Sequence, residues 1–290
     1  MSTLSLGMQG PQVSTWQSFL IDHGYLAGTA DGIYGQGTEA ATAKYQQAHG
    51  LTPDGIAGPD TIGQAVQEGF HPAASPVFPP PGTINTVFDM SHNNGSSPDF
   101  AKVKAAGLFG VFHKATQGSD FIDNMYNSSR EGVASQGLHW GAYHFGDGSD
   151  VDAQVTHFLT IAKPDGNTLL VLDFEENPSG PTMTLDQARQ FVQSVKDKTG
   201  KYPGLYGGSL LSQLLNGNQD TVLSQCWLWI ARYGQLTSLP PGWSKWTFWQ
   251  YTDGQVGPDT EEVPGIGHSD RDLFNGTDSN LAGFWQTFSV

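Results

Sequence analysis

Apolar residues mark this chain in changing rhythms. Over the first seventy residues they recur at helical spacing: Val13, Trp16 and Leu20 form one stripe, Ala41, Tyr45 and Ala48 a second, and Ile62, Ala65 and Val66 a third. The first helix is expected to start at Pro11, a position where the missing N–H is no loss, and to stop at Gly24. The second spans about 38–50 and the third is short. The stretch Asp31-Gly-Ile-Tyr-Gly-Gln-Gly-Thr38 returns as Asp54-Gly-Ile-Ala-Gly-Pro-Asp-Thr61. Each copy reads as a glycine-rich turn closing on a Thr that can cap a helix. These Asp-Gly turns hold too few oxygens for a calcium loop. Three short helices around one small core are expected over residues 1–70.

Residues 71–82 break the rhythm with five prolines in twelve positions, which predicts a stiff, extended linker. From residue 83 onward short apolar runs alternate with helical patterns. The runs sit at 86–88, 110–112, 140–143, 169–172, 204–206, 227–230, 246–249 and 272–274. Helices are expected over 99–106, 123–136, 152–162 and 184–199, with a fifth after Ser209. The fourth carries a capping box, Thr184 with Gln187, and an inward stripe of Ala188, Phe191, Val192 and Val195. After Trp227 the gaps hold Gly and Pro, and no helix is expected there. Strand–helix alternation predicts an α/β domain built as a parallel barrel over residues 83–290. Eight strands with about five helices would make it irregular, of the (β/α)5(β)3 kind.

The polar residues fall at the ends of these runs. Asp89 ends the first, Lys114 the second, His144 the third, and Asp173 with Glu175 the fourth; Gln250 and Tyr251 follow the seventh, and Asp270 lies at the last. In a parallel barrel the carboxyl ends of the strands converge on one mouth. Asp173 and Glu175 are two apart, so they share one face of a strand, roughly 6.6 to 6.8 Å apart along the backbone. Asp-x-Glu by itself describes a solvated strand end equally well. Four carboxylates with a rim of Tyr and Trp describe a sugar-cleaving cleft, because ring faces stack on sugars and carboxylates serve a positively charged transition state.

Charge and composition remove other classes. A formal charge of −15 speaks against nucleic acid or an anionic membrane as partner. The one cysteine, Cys226, rules out an intrachain disulfide and reads as a core thiol. His92, His113, His139, His144 and His157 form no recognised short metal signature, so neither metal nor cofactor is expected. No run is long enough to span a bilayer, and no membrane insertion is expected.

Two resemblances follow from the motifs. Leu6-Gly7, Gly10 with Val13, Gln17, Gly24-Tyr25, both Asp-Gly-Ile turns, and Tyr45-Gln46 before Gly50-Leu51 resemble a peptidoglycan-binding module, over about residues 4–67. Seven further blocks occur in the order of a glycoside hydrolase family 25 lysozyme, over 86 to about 277. They are Phe88-Asp-Met-Ser-His-Asn-Asn-Gly95, Lys114-Ala-Thr, Tyr143-His-Phe145, Leu172-Asp-Phe-Glu175 with Pro178-Ser-Gly, Trp229-Ile-Ala, Trp249-Gln-Tyr251, and Asp270-Arg-Asp-Leu-Phe-Asn-Gly276.

The second resemblance implies an N-acetylmuramidase acting on bacterial peptidoglycan. It implies Glu175 as proton donor, Asp173 as its strand partner, and Asp89 and Asp270 as further acids of the cleft. Tyr143, Tyr206, Trp249 and Tyr251 are candidates for sugar-facing aromatics, with core packing as the alternative for each. His92 and Lys114 join the substrate-binding candidates; His92 and His144 could equally be structural. Gln117 stands where the family commonly has Glu, and Asp272 where it commonly has Asn, which makes Asp272 a possible substitute for Asp270. The rival functions are a zinc-dependent amidase or peptidase, since such enzymes also carry this binding module, and a non-catalytic wall-binding protein. A monomer is expected. The N-terminal residues lack the basic start and apolar core of a signal peptide. The expectation is therefore synthesis in the cytoplasm and action at the wall after release by a holin or another route.

Overall fold

The computed structural model describes residues 3–72, 78–233, 236 and 238–290. They fall into two compact units, Met1–Val77 and Phe78–Val290. Residues 73–77 of the expected linker lie outside the described residues. The linker was expected to reach 82, but the second unit already includes Phe78, whose ring lies 4.8 Å from that of Tyr251 and 6.1 Å from that of Trp249. An aromatic ring with apolar surface to bury ends the connector early.

In the first unit α1 (Pro11–Asp22), α2 (Gln36–Ala48) and α3 (Pro59–Gln67) enclose Trp16, Leu20, Tyr34, Tyr45, Ile62 and Phe70. Ala48 and Val66, expected inward, are exposed. Neither Thr38 nor Thr61 caps a helix; α2 and α3 start earlier, after Gly35 and Gly58. The two threonines serve a different pattern. The amide nitrogen of Gln17 lies 2.8 Å from Asp31 Oδ1, 2.9 Å from the Ile33 carbonyl and 2.9 Å from Thr38 Oγ1, while its oxygen accepts from the Gly32 N–H. Gln46 repeats every contact with Asp54, Ile56, Thr61 and Gly55. The sequence repeat is therefore two turns, each pinned by one buried glutamine. Gly32 and Gly55 adopt φ of +76° and +73°, which an L side chain rarely does.

The second unit is a closed barrel. Its strands are β1 (Ile84–Met90), β2 (Gly110–Gln117), β4 (His139–Phe145), β5 (Thr168–Asp173), β6 (Gly204–Gly207), β7 (Leu228–Ala231), β8 (Phe248–Thr252) and β9 (Asp270–Phe274). The short β3 (Phe121–Ile122) pairs only with the end of β2. Neighbours from β1 to β8 are parallel, and β9 closes the ring antiparallel to both β8 and β1. The expected irregular barrel is present, with β9 as its departure from parallel pairing. The departure has a simple cause: a parallel return needs a crossover, and residues 253–269 contain no helix to make one. The chain stays at the mouth and runs back down.

The expected helices are present: α4 (Phe100–Ala105), α5 (Tyr126–Ser135), α6 (Val151–Ala162), α7 (Leu185–Thr199) and α8 (Ser209–Leu215). α7 has its Thr184–Gln187 capping box and buries the predicted stripe. A further helix, α9 (Asp278–Phe288), was not expected. Its signal was present in Thr277 with Asn280 as a cap and in Leu281, Phe284, Trp285 and Phe288 at helical spacing.

Strand alternation sorts the side chains into two layers. Outward residues such as Val111, Leu172 and Ile230 pack beneath the helices with Phe158 and Phe191. Inward residues fill the barrel: Val87, Phe112, Val171, Trp229, Phe248 and Phe274, joined by Trp285 of α9. The rings of Phe112 and Trp229 lie 4.5 Å apart, so this part of the interior is packed solid.

Candidate active site

Above the aromatic layer the inward positions become polar. One cavity at the mouth is lined by Asp89, Tyr143, Asp173, Glu175, Tyr206, Trp229, Tyr233, Gln250 and Asp270. All four predicted carboxylates meet here. Asp89 is the last residue but one of β1, two positions beyond inward Val87, and Asp173 ends β5 two beyond inward Val171. Phe174 faces outward into the helix-covered layer, so the alternation continues past the end of β5 and returns Glu175 to the mouth. Asp270 arrives differently. It is the first residue of β9, and it reaches the mouth because that strand runs downward, where it pairs with Asp89.

Gln250 ties the acids together. Its amide donates to Asp89 Oδ2 at 2.7 Å, and its oxygen accepts from Tyr206 Oη at 2.8 Å and Tyr233 Oη at 3.1 Å. Tyr233 Oη also approaches Asp270 Oδ1 at 3.5 Å. Two hydroxyls on the carbonyl oxygen fix which end of the amide faces Asp89. Beneath them Asp272 is fully buried and accepts the Trp229 indole N–H at 2.6 Å, while its other oxygen has no partner.

Burial raises all five carboxyls. For Asp89 burial comes first, then Asp270 and Asp272; for Asp173 burial, then Glu175. Burial raises Glu175, and burial followed by Asp253 pushes Asp270 up to about 6. Asp272 is also raised, chiefly by burial. Of these, only Asp173 has an ammonium opposing the rise, that of Lys114. Asp173 is the more deeply buried of the pair and the neighbouring Glu175 raises it further, with Lys114 opposing only part of that rise, so the two acids compete for charge in one cavity.

The remaining sequence candidates divide. Tyr143 and Tyr206 line the cavity. Trp249 and Tyr251 do not: both belong to the outer layer, Trp249 donating to the Arg232 carbonyl at 2.7 Å and Tyr251 meeting Asn85 at 2.7 Å. With Phe248 inward, the pleat makes Gln250 the next inward residue and turns its neighbours away. Lys114 is not among the lining residues; its Nζ donates to Gln117 at 2.7 Å and lies over the rings of Phe121 and Phe145. His92 likewise stands outside the lining, with its ring nitrogen 2.7 Å from Asp123. His144 is buried beneath the helices between Thr116 and Gln154, and burial lowers it to about 4, so it is a neutral core residue. Sequence reading missed Trp229 and Tyr233 as cavity residues, and placed Gln250 at the mouth without giving it a role. For Gln250 the alternation of β8 carried the signal; Tyr233 follows β7, where no periodicity points. Among the described residues, no group of His, Cys, Asp and Glu could hold a metal ion.

Comparison with known proteins bears on this arrangement. The family model "Glycosyl hydrolases family 25" matches residues 88–260, and the model "Putative peptidoglycan binding domain" matches residues 9–64. The chain is 30% identical to Lysozyme M1 of Streptomyces globisporus over 208 residues, 67% of this chain and 68% of that one. It is 30% identical to an N,O-diacetylmuramidase of Arthroderma benhamiae over 190 residues, 60% of this chain and 80% of that one. A lysozyme structure from Streptomyces coelicolor superposes with TM-score 0.60 at 27% identity, covering 75% of this chain and all of the other. The chain is also 42% identical over 55 residues to the N-acetylmuramoyl-L-alanine amidase CwlM of Mycobacterium tuberculosis, 19% of this chain and 14% of that one.

Proposed function

This chain belongs to glycosyl hydrolases family 25, and we propose that Glu175 is the acid with which it opens a glycosidic bond. The protein is a muramidase: it hydrolyses the β-1,4 bond between N-acetylmuramic acid and N-acetylglucosamine in bacterial peptidoglycan. The wall-binding module of the first unit brings it to that polymer. Glu175 gives its proton to the bridging oxygen as the bond from that oxygen to the sugar's anomeric carbon breaks. Water supplies the hydroxyl to that carbon, and its remaining proton restores the Glu175 carboxyl, so acid is neither gained nor lost. Asp173, whose charged form Lys114 favours, faces the positive charge that develops on the sugar. Asp89, held by Gln250, and Asp270, approached by Tyr233, line the opposite wall and hydrogen-bond sugar substituents. Tyr143 and Tyr206 offer ring surface.

The observation that carries this reading is geometric: Asp89, the pair Asp173 and Glu175, and Asp270, far apart in the chain, line one cavity at the mouth of the barrel. The zinc-enzyme alternative has no ligand group among the described residues. Product analysis tests both. Digestion of peptidoglycan should release new reducing ends on muramic acid, in the presence of EDTA, without new free amino groups. Amino groups appearing in place of reducing ends would sink the muramidase assignment. Full cleavage by a folded Glu175→Gln variant would sink the donor role alone.

A further inference from the structure

At the end of the barrel away from the mouth lies a second concavity, lined largely by aromatic rings. Trp227 and Trp246 reach it from just before β7 and β8, and Phe284 and Phe288 from α9. Phe274 and Asn275 come from the lower end of β9, which runs away from the mouth. The two cavities share no residue.

The chemistry of this wall is mixed in a particular way. Trp227 is only 8% exposed, yet its indole N–H meets no acceptor among the described residues and is not sealed from solvent. The N–H of Trp246 is likewise unused, whereas that of Trp243 is committed to the Cys226 carbonyl at 2.8 Å. Buried indole N–H groups normally find a partner. Phe288, 37% exposed, stacks on Phe284 at 4.6 Å and presents a ring at the rim. Asn275 donates to the Trp246 carbonyl and keeps its own carbonyl oxygen free. Lys245 has no ion-pair partner among the described residues, in a chain with net charge −15. Ring faces interleaved with unspent donors and one acceptor match a pyranose, which has an apolar C–H face and a rim of hydroxyl and acetamido groups. An apolar helix would leave the indole N–H groups and the Lys245 ammonium unpaired.

We propose that this concavity is a non-catalytic holding site for an N-acetylated amino-sugar glycan, taking a second segment of the polymer that the mouth cleaves. The proposal rests on the muramidase reading for its choice of glycan. A polymer held at a second point stays at high local concentration near the mouth between cuts, without a change in the chemical step.

The test uses the full chain carrying Glu175→Gln, with indole nitrogens labelled, titrated with chitotetraose and followed by NMR. The indole signals of Trp227 and Trp246 should shift, while Trp16, buried in the first unit, stays still. Adding Trp246→Ala and Phe288→Ala should abolish the Trp227 response and leave any response of Trp229, at the mouth, unchanged. In the otherwise wild-type enzyme the same two substitutions should raise KM on insoluble peptidoglycan roughly threefold to tenfold, with kcat unchanged. Shifts confined to Trp229, or an unchanged KM in the double variant, would overturn the holding site. Shifts at Trp227 and Trp246, together with a wild-type enzyme that releases no reducing ends from peptidoglycan, would instead remove the muramidase reading and leave a glycan site standing.

Discussion

Asp31 and Asp54 in the first unit and Asp89 and Asp173 in the barrel are the same side chain put to opposite uses. Asp31 and Asp54 accept the backbone N–H groups of Ile33 and Ile56 and the amides of Gln17 and Gln46, and these bonds lower both carboxyls. Asp89 and Asp173 are raised, by burial first and by other acids next. The first pair is wired to donors and stabilises a turn. The second is crowded with its own kind and stores proton affinity for a reaction. A chain can hold both because the two arrangements are built on separate cores.

The sharpest way to separate these uses is to neutralise one residue of each kind. Glu175→Gln should lower kcat by about 10²- to 10⁴-fold, while thermal unfolding of the barrel is no less stable at neutral pH. Gln46→Met should do the reverse. It leaves the Gly55 N–H and the Ile56 carbonyl without their partner, at a cost of about 1–3 kcal/mol to the first unit, with kcat on soluble fragments unchanged. Equal loss of activity from both variants would break the comparison.

Acid titration should pull the two regions apart. A raised carboxyl stabilises the fold fully below its unfolded value and loses that contribution as pH rises through the folded value. For Asp270 the window runs from the ordinary carboxyl value of 3.8 to about 6. The lowered Asp31 and Asp54 contribute above 3.8 and lose that contribution as pH falls through their folded values. Asp272→Asn keeps an acceptor for Trp229 but removes a buried acid. The variant should gain stability at pH 7 relative to the parent and show no gain at pH 3; a gain independent of pH would remove Asp272 from the coupled set. The smallest effect belongs to the misassigned aromatic. Tyr251→Phe loses its bond to Asn85, worth about 0.5–1.5 kcal/mol in chemical denaturation, and leaves KM unchanged. Tyr206→Phe, which releases Gln250, should lower kcat/KM instead.

Much of this molecule is legible in its residues. The α7 stripe and capping box, the β5 run and the Asp-Gly-Ile repeat follow from spacing alone, because helical and strand periods are local properties. The errors also have local causes. Trp249 and Tyr251 were chosen for chemical type, against the alternation that places Phe248 and Gln250 inward. Helix α9 was overlooked beneath a composition rich in Gly and aromatics.

The sequence by itself determined which residues are acids, which stretches are strands, and that residues two apart share a face, since backbone geometry acts over a few positions. Only the folded chain decided that β9 runs downward and delivers Asp270 to Asp89, that Gln250 holds the two tyrosines, and that Lys114 acts on Asp173 and not on Glu175. These depend on how the ring closes. Closure is set by all the strands and helices packing together, across separations of up to some 180 residues, which no local pattern encodes.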